Sequence, residues 1–404
     1  MQIGFIFLLL FCFLRPLTYI NIGIEIGGLN IFELFAVIIS YLLLFDVALN
    51  AKKIKFDIIS ISIFLFCLYC SLSIFWGSQL RIITQVILPF ILFFSIRVNI
   101  KKPEQIKLLL AMLIIANCLP IVASLYQIFQ GSSVQHIEPI TGIERHAGMF
   151  TGIKSSAFAM FYFSVYYYMY VIVNKFKDRH IKRILFFLLM ISFICLFKTY
   201  ARTAYVGFII FWAISLWGFN KKYFSIVAII SLIFGLLFLS TFQQIFFKTE
   251  KFELNVASSG RDVIWEHNIN FFLKSNLDKK LMGHGLGVVS STVIGARNEI
   301  WSSHNDYLHL LMALGIFGLV LYIIIYLVLL KDASISSIDK TTKYFFYGII
   351  ISMIAMNFVS GVALYRVGMS QQFWMVIGFL YVFREFSIKS TQNDRILINV
   401  QKVE

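Results

Sequence analysis

Apolar stretches long enough to cross a hydrocarbon core, about 20 residues in a helix, recur from one end of the chain to the other, separated by short polar breaks. Read by length and period, the pattern predicts twelve helical spans, at residues 2–19, 29–49, 57–76, 79–98, 107–129, 155–174, 184–199, 203–219, 223–245, 304–330, 344–364 and 371–383. The first run, Gln2 to Leu14, has no basic flank and leads into Arg15-Pro16 without a small-residue cleavage site. It therefore reads as a span rather than a removable leader. The fold class expected is all-α, one integral membrane domain over residues 1–404, with two long polar segments within it, at 130–154 and 244–303.

Composition agrees with this and adds an orientation. The chain is 59% hydrophobic, and only 14% of its residues are charged, against about 25% in soluble domains. Its net charge of +15 does not point to nucleic acid, because the basic residues are dispersed among short inter-span segments rather than gathered on one element. With both termini cytoplasmic, the inner segments hold 21 of the 35 Lys and Arg residues, as the positive-inside rule requires. Arginine distributes differently. Arg15, Arg81, Arg145, Arg202, Arg261, Arg297 and Arg366 all fall outside, as do His136, His146, His267, His284, His304 and His309.

A guanidinium presents a planar fork of donors that grips phosphate bidentately and stays charged when partly desolvated. An anionic ligand at the outer face would use that chemistry. The alternative is that these arginines pair with lipid headgroups or with local carboxylates such as Glu144, Asp262 and Glu299. The five cysteines, including the Cys67/Cys70 pair, lie in apolar runs and read as small packing residues. No metal site is expected, since His304 and His309 stand five apart, about 140° around a helix, and no further ligands cluster with them.

In the larger outer segment, SSGRDVIWEHNINFFLKSN reads as a short amphipathic helix with Ser259 as its cap and Trp265, Ile269 and Phe272 as an apolar stripe. It would rest on the bilayer surface and hold Arg261 at headgroup depth. The glycines of LMGHGLG (281–287) are spaced for close backbone packing rather than for a dinucleotide. SSHNDYLHLL (302–311) then opens a span. If Ser302 or Ser303 is the cap, His304 lies in the first turn, where the helix dipole keeps an imidazole neutral and able to accept a proton. The alternative is a merely interfacial polar residue.

The combination of SHNDYL-LLMALGIFGL, SGRDVIW, MGHGLG, TYARTAYVGF and RHAGMFTG resembles the O-antigen ligase and O-antigen polymerase superfamily of bacterial envelope enzymes. The resemblance implies a GT-C-like fold and a metal-independent, cofactor-free glycosyltransferase. Such an enzyme takes a glycan from undecaprenyl diphosphate at the periplasmic face of the inner membrane and attaches it to a sugar hydroxyl. It implies catalytic roles for His304, Arg261 and Arg202, and we place Arg145, Tyr307, Arg366 and Asn305 with them as substrate-binding candidates. Two departures stand out: Ala201 and Thr203 flank Arg202 where the family pattern has serine and glycine, and the asparagine-rich turn expected near GMFTGIKSSA is missing. The partners implied are a lipid-linked oligosaccharide donor, a glycan or lipid-core acceptor and membrane lipids, with room for a chain-length regulator and no nucleic acid. A polymerase is preferred to a ligase. A polysaccharide flippase is the reading from another class; it would place its arginines deep along a central path.

Overall fold

A computed structural model describes residues 2–20, 25–26, 29–131, 135–137, 144–150, 152–174, 179–222, 224–225, 261–287, 303–335, 339–361 and 366–401. Its helices are α1 (Ile3–Leu17), α2 (Ile31–Leu49), α3 (Ile58–Leu72), α4 (Leu80–Asn99), α5 (Pro103–Phe129), α6 (Ile153–Asn174), α7 (Arg179–Lys198) and α8 (Arg202–Phe219). They are followed by α9 (Arg261–Lys274), α10 (Leu277–Met282), α11 (Asp306–Ile335), α12 (Lys340–Val359) and α13 (Val367–Gln401). Two short antiparallel hairpins, β1–β2 (Glu25–Ile26 with Leu29–Asn30) and β3–β4 (Gln135–Ile137 with Glu144–His146), and two 3-10 turns, Ala51–Lys53 and Ser73–Trp76, the second extending α3 to span length, complete the described elements.

Nine of these helices are long and apolar enough to span a bilayer, so the protein is a multi-pass membrane protein, but the expected count of twelve is not reached among the described residues. At 15 residues, α1 is shorter than a span requires. The span expected at 223–245 lies outside the described residues apart from Phe224 and Ser225. The one expected at 371–383 falls inside α13, whose polar positions face protein: Gln371 donates to Ser40 Oγ at 3.2 Å, and Gln372 accepts from the Tyr166 hydroxyl at 2.8 Å. A helix enclosed by other helices need not be as apolar as one facing lipid.

Small residues set the close approaches that a bundle in lipid relies on. α8 lies along α12 because Gly207 leaves room for Met356 and Gly218 for Tyr344; a Cβ at either glycine would fall 2.3 Å from Met356 Sδ or 2.1 Å from Tyr344 Cβ. α13 packs along α4, where Trp374 meets Phe90 and Phe93.

The loops sort into two ends, as alternate crossing demands. At one end Arg97 of α4 donates to both Asp57 oxygens (3.1 and 2.8 Å), to Ser60 Oγ (2.9 Å) and to Glu385 (3.3 Å), and Lys55 also pairs with Glu385. This clamp ties α3, α4 and α13 together. Arg97 is 7% exposed and Asp57 38%, so the pair is only partly screened. Replacing Arg97 by Gln should lower stability by about 1–2 kcal/mol, less than for a fully buried pair, read as a lower Tm of the detergent-solubilised protein. An unchanged Tm would show that the clamp contributes nothing.

At the other end α11 is broken. Gly315 has φ 66° and ψ −168°, a conformation essentially reserved for glycine. The break leaves carbonyls without helical donors. Met312 O and Ala313 O accept instead from the amides of His284 and Gly285 (2.9 and 2.8 Å), and Leu314 O from the Tyr69 hydroxyl (3.0 Å). The expected close packing of LMGHGLG is thus realised against this break. The same loop is stitched to the α3–α4 turn, where Gln79 N donates to Leu286 O (3.0 Å) and Leu286 N to Ser78 Oγ (2.6 Å).

Candidate active site

His304 does not lie in the first turn of a helix, as the sequence pattern suggested. The helix begins at Asp306, and its cap is Asn305, whose Oδ1 accepts from Tyr307 N and Leu308 N at 3.0 and 3.1 Å. Ser302 lies outside the described residues, and Ser303 Oγ donates to Asn305 O rather than capping. His304 occupies a left-handed knuckle with φ 49°. Trp265 of α9 holds it from one side by donating Nε1–H to Ser303 O at 2.9 Å, and the Asn305 cap holds it from the other. Among the described residues only one other non-glycine has positive φ: Tyr200, two residues before Arg202. Backbone strain of this kind persists where surrounding contacts enforce it, and it concentrates at functional sites.

The imidazole is neutral for a reason other than the one expected. Burial lowers its pKa most, and Lys154, Arg261 and Arg366 add to the effect, bringing it to about 4. Proximity to fixed cations, not a helix dipole, completes the depression.

The cations arrive from four parts of the chain. Arg261 begins α9 and donates Nη1–H to Val359 O at the end of α12. Burial, and then Arg202, lower its pKa to about 10, so it remains charged at neutral pH. Arg202 is the first residue of α8, after a turn in which Thr199 Oγ1 accepts from Ala201 N at 3.2 Å. Arg366 precedes α13, with its carbonyl accepting from Met369 N and Ser370 N; its pKa is lowered by burial, against the opposing influence of Tyr19 and Asp306. Lys154, at the start of α6, lies within electrostatic reach of Arg366, Arg261 and Arg145, the last on β4. Lys154 was not singled out from the sequence; the only signal was its place in GIKSS, where the chain re-enters the membrane.

Other expected residues take supporting positions. Tyr307 donates its hydroxyl to Ile354 O at 3.2 Å and lies against Tyr322, which joins α11 to α12. His284 packs within the loop: its ring nitrogen meets Ser275 Oγ at 2.9 Å and its ring lies tilted against Phe271, with centroids 4.8 Å apart. α9 is present, but its buried residues are Ile264 and Asn268, while Trp265 and Phe272 of the expected stripe are half-buried, as is Phe271. Ile269 is exposed. Ser259 and Arg297 lie outside the described residues. Among the described residues no group of three or more His, Cys, Asp or Glu could hold a metal ion.

A histidine held neutral on a strained turn, within electrostatic reach of Lys154, Arg261 and Arg366, is an arrangement suited to transfer of a group from a phosphate leaving group. Residues 185–323 match the O-Antigen ligase family model, Wzy_C. No curated protein matches the chain. The O-Antigen ligase match takes in Arg202, Arg261, the LMGHGLG loop, His304 and the Gly315 break, while Arg145, Lys154 and Arg366 lie outside it. The groups within electrostatic reach of His304 therefore come from the matched segment and from both sides of it.

Proposed function

We propose that the protein is a membrane glycosyltransferase that moves a glycan from undecaprenyl diphosphate to a sugar hydroxyl at the periplasmic face, acting as a surface-polysaccharide polymerase. The observation that carries this reading is that Lys154, Arg261 and Arg366 lie within electrostatic reach of a neutral His304, with Arg202 in turn within reach of Arg261. The acceptor hydroxyl attacks the anomeric carbon and His304 takes its proton. The bond from that carbon to the diphosphate oxygen breaks, and the electron pair leaves with the undecaprenyl diphosphate. Negative charge grows on that diphosphate as the bond lengthens, so fixed cations aimed at it stabilise the transition state more than the bound substrate. The periplasmic orientation rests on the excess of lysine in the opposite loops.

The test is incubation of purified protein with its lipid-linked repeat. A ladder of products is expected, and its absence with a competent donor would remove the polymerase reading. The family description favours a second reading, a ligase that caps a lipid core; it would transfer a single glycan to that core and give no ladder. Arg261→Lys keeps the charge and loses the fork, so both readings expect kcat to fall about tenfold or more with protein yield unchanged. Near-normal kcat would argue against bidentate contact by Arg261.

A further inference from the structure

Beside Arg366 of the His304 cluster stands a cation that the mechanism above does not use. Arg15, in the last turn of α1, is 7% exposed. Its Nη1 donates to Thr18 Oγ1 at 2.9 Å and its Nη2 to the Tyr19 hydroxyl at 3.5 Å, while its Nε–H is buried with no partner. No described carboxylate forms an ion pair with it. A buried charge is costly unless a counter-charge answers it.

The surroundings are shaped for this guanidinium. It lies over the start of α13, where a Cβ on Gly368 would fall 1.2 Å from Nη2 and 2.3 Å from Cζ. Arg366 stands two residues earlier, at the amino-terminal end of the same helix, and its charge also feels Tyr19. Two guanidiniums, a tyrosine hydroxyl and the positive end of a 35-residue helix therefore converge on one place. Helix amino termini and arginine forks are each favourable to phosphate.

We propose that Arg15 and Arg366 form a binding site for the phosphate of a lipid, adjoining the His304 cluster through their shared Arg366. The site itself stands on the unpaired charge and the Gly368 recess. That its occupant is a polyprenyl-linked phosphate, the acceptor's in a polymerase, rests on the proposed function. A polymerase handles two diphosphate-linked substrates at once, so a second locus is what that reaction needs; a bilayer phospholipid headgroup offers the same chemistry.

Full-length protein, purified in a phosphate-free maltoside detergent, separates these sources. Wild type, Arg15→Gln and Arg15→Lys are titrated with undecaprenyl phosphate and, separately, with phosphatidylglycerol, and binding is read by native mass spectrometry. Binding to Arg15→Gln is expected to weaken about tenfold or more, with Arg15→Lys in between. Weakening for undecaprenyl phosphate alone assigns the site to the substrate, and weakening for phosphatidylglycerol alone assigns it to a headgroup; either supports the site. Equal binding of both lipids to wild type and folded Arg15→Gln would overturn it. Should Arg15→Gln not fold, Gly368→Ala displaces the guanidinium while keeping it, and unchanged binding there would overturn the proposal in the same way. Wild type that binds through Arg15 but transfers no glycan would sink the glycosyltransferase reading and leave the site standing.

Discussion

Replacing His304 by Asn is expected to lower kcat by about 10²–10⁴-fold, the usual contribution of a positioned general base, with binding of the lipid-linked donor little changed. Asparagine is the better replacement than alanine because residue 304 has φ 49°. Asn tolerates that left-handed conformation, whereas an alanine there adds about 1–2 kcal/mol of backbone strain. His304→Asn therefore separates the loss of a proton acceptor from a loss of the turn. Product formation in the purified system, beside an elution profile that shows intact protein, reads both. Near-normal turnover by folded His304→Asn would remove the general-base role.

The same histidine fixes a pH dependence. Its neutral form is the competent one, and burial with the nearby cations brings its pKa to about 4. The profile of kcat/KM should thus stay flat from neutral pH down to about pH 5 and fall below that, as the base becomes protonated. An ordinary exposed histidine would already lose activity near its unperturbed value of about 6.5. The contribution to stability has the matching sign. The folded pKa lies below the unfolded one, so the unfolded chain binds protons first, and stability declines as pH drops from about 6.5 toward 4. A kcat/KM profile that bends near pH 6.5 would contradict the described environment of His304.

How far the sequence anticipates this site depends on whether a feature is local. Arg202, Arg261 and His304 were identified by motif, and electrostatics link Arg261 to both of the others. The cap lies two or three positions beyond the expected serines because Ser302, Ser303 and Asn305 are all good capping residues. The choice among them is made by Trp265, far along the chain, which holds Ser303 O. The buried positions of α9 differ from the expected stripe because Asn268 is buried, and an apolar pattern cannot select a buried amide. Arg15 was one of seven outer arginines with nothing local to set it apart; its recess is made by Gly368, more than 350 residues away. The close packing of LMGHGLG was anticipated from its glycines. Its partner was not, since the apolar run of α11 continues through Gly315 without a change of pattern.

That partner makes Gly315→Ala the substitution expected to cost most in stability. A Cβ at 315 would lie 2.3 Å from Leu281 O and 2.7 Å from Gly283 N. Both are backbone atoms, and neither can turn aside as a side chain can. The conformation is also closed to alanine, so strain and clash add, and a loss above about 3 kcal/mol is expected. Gly131 is the control: its φ is also +66°, but a Cβ there meets nothing within 4 Å, so Gly131→Ala should cost only about 1 kcal/mol. Size-exclusion profiles of the full-length tagged chain should show a monodisperse peak for Gly131→Ala and little or none for Gly315→Ala. Equal behaviour of the two would mean that the break is not fixed by the LMGHGLG backbone. The consequence reaches the site, because the segment Asp306–Leu314 is carried on that break and begins two residues after His304. The carbonyls of Met312 and Ala313, held by His284 and Gly285, anchor the half-helix whose first turn positions the histidine against the cations. Any residual folded Gly315→Ala should therefore lose kcat while keeping its affinity for the donor.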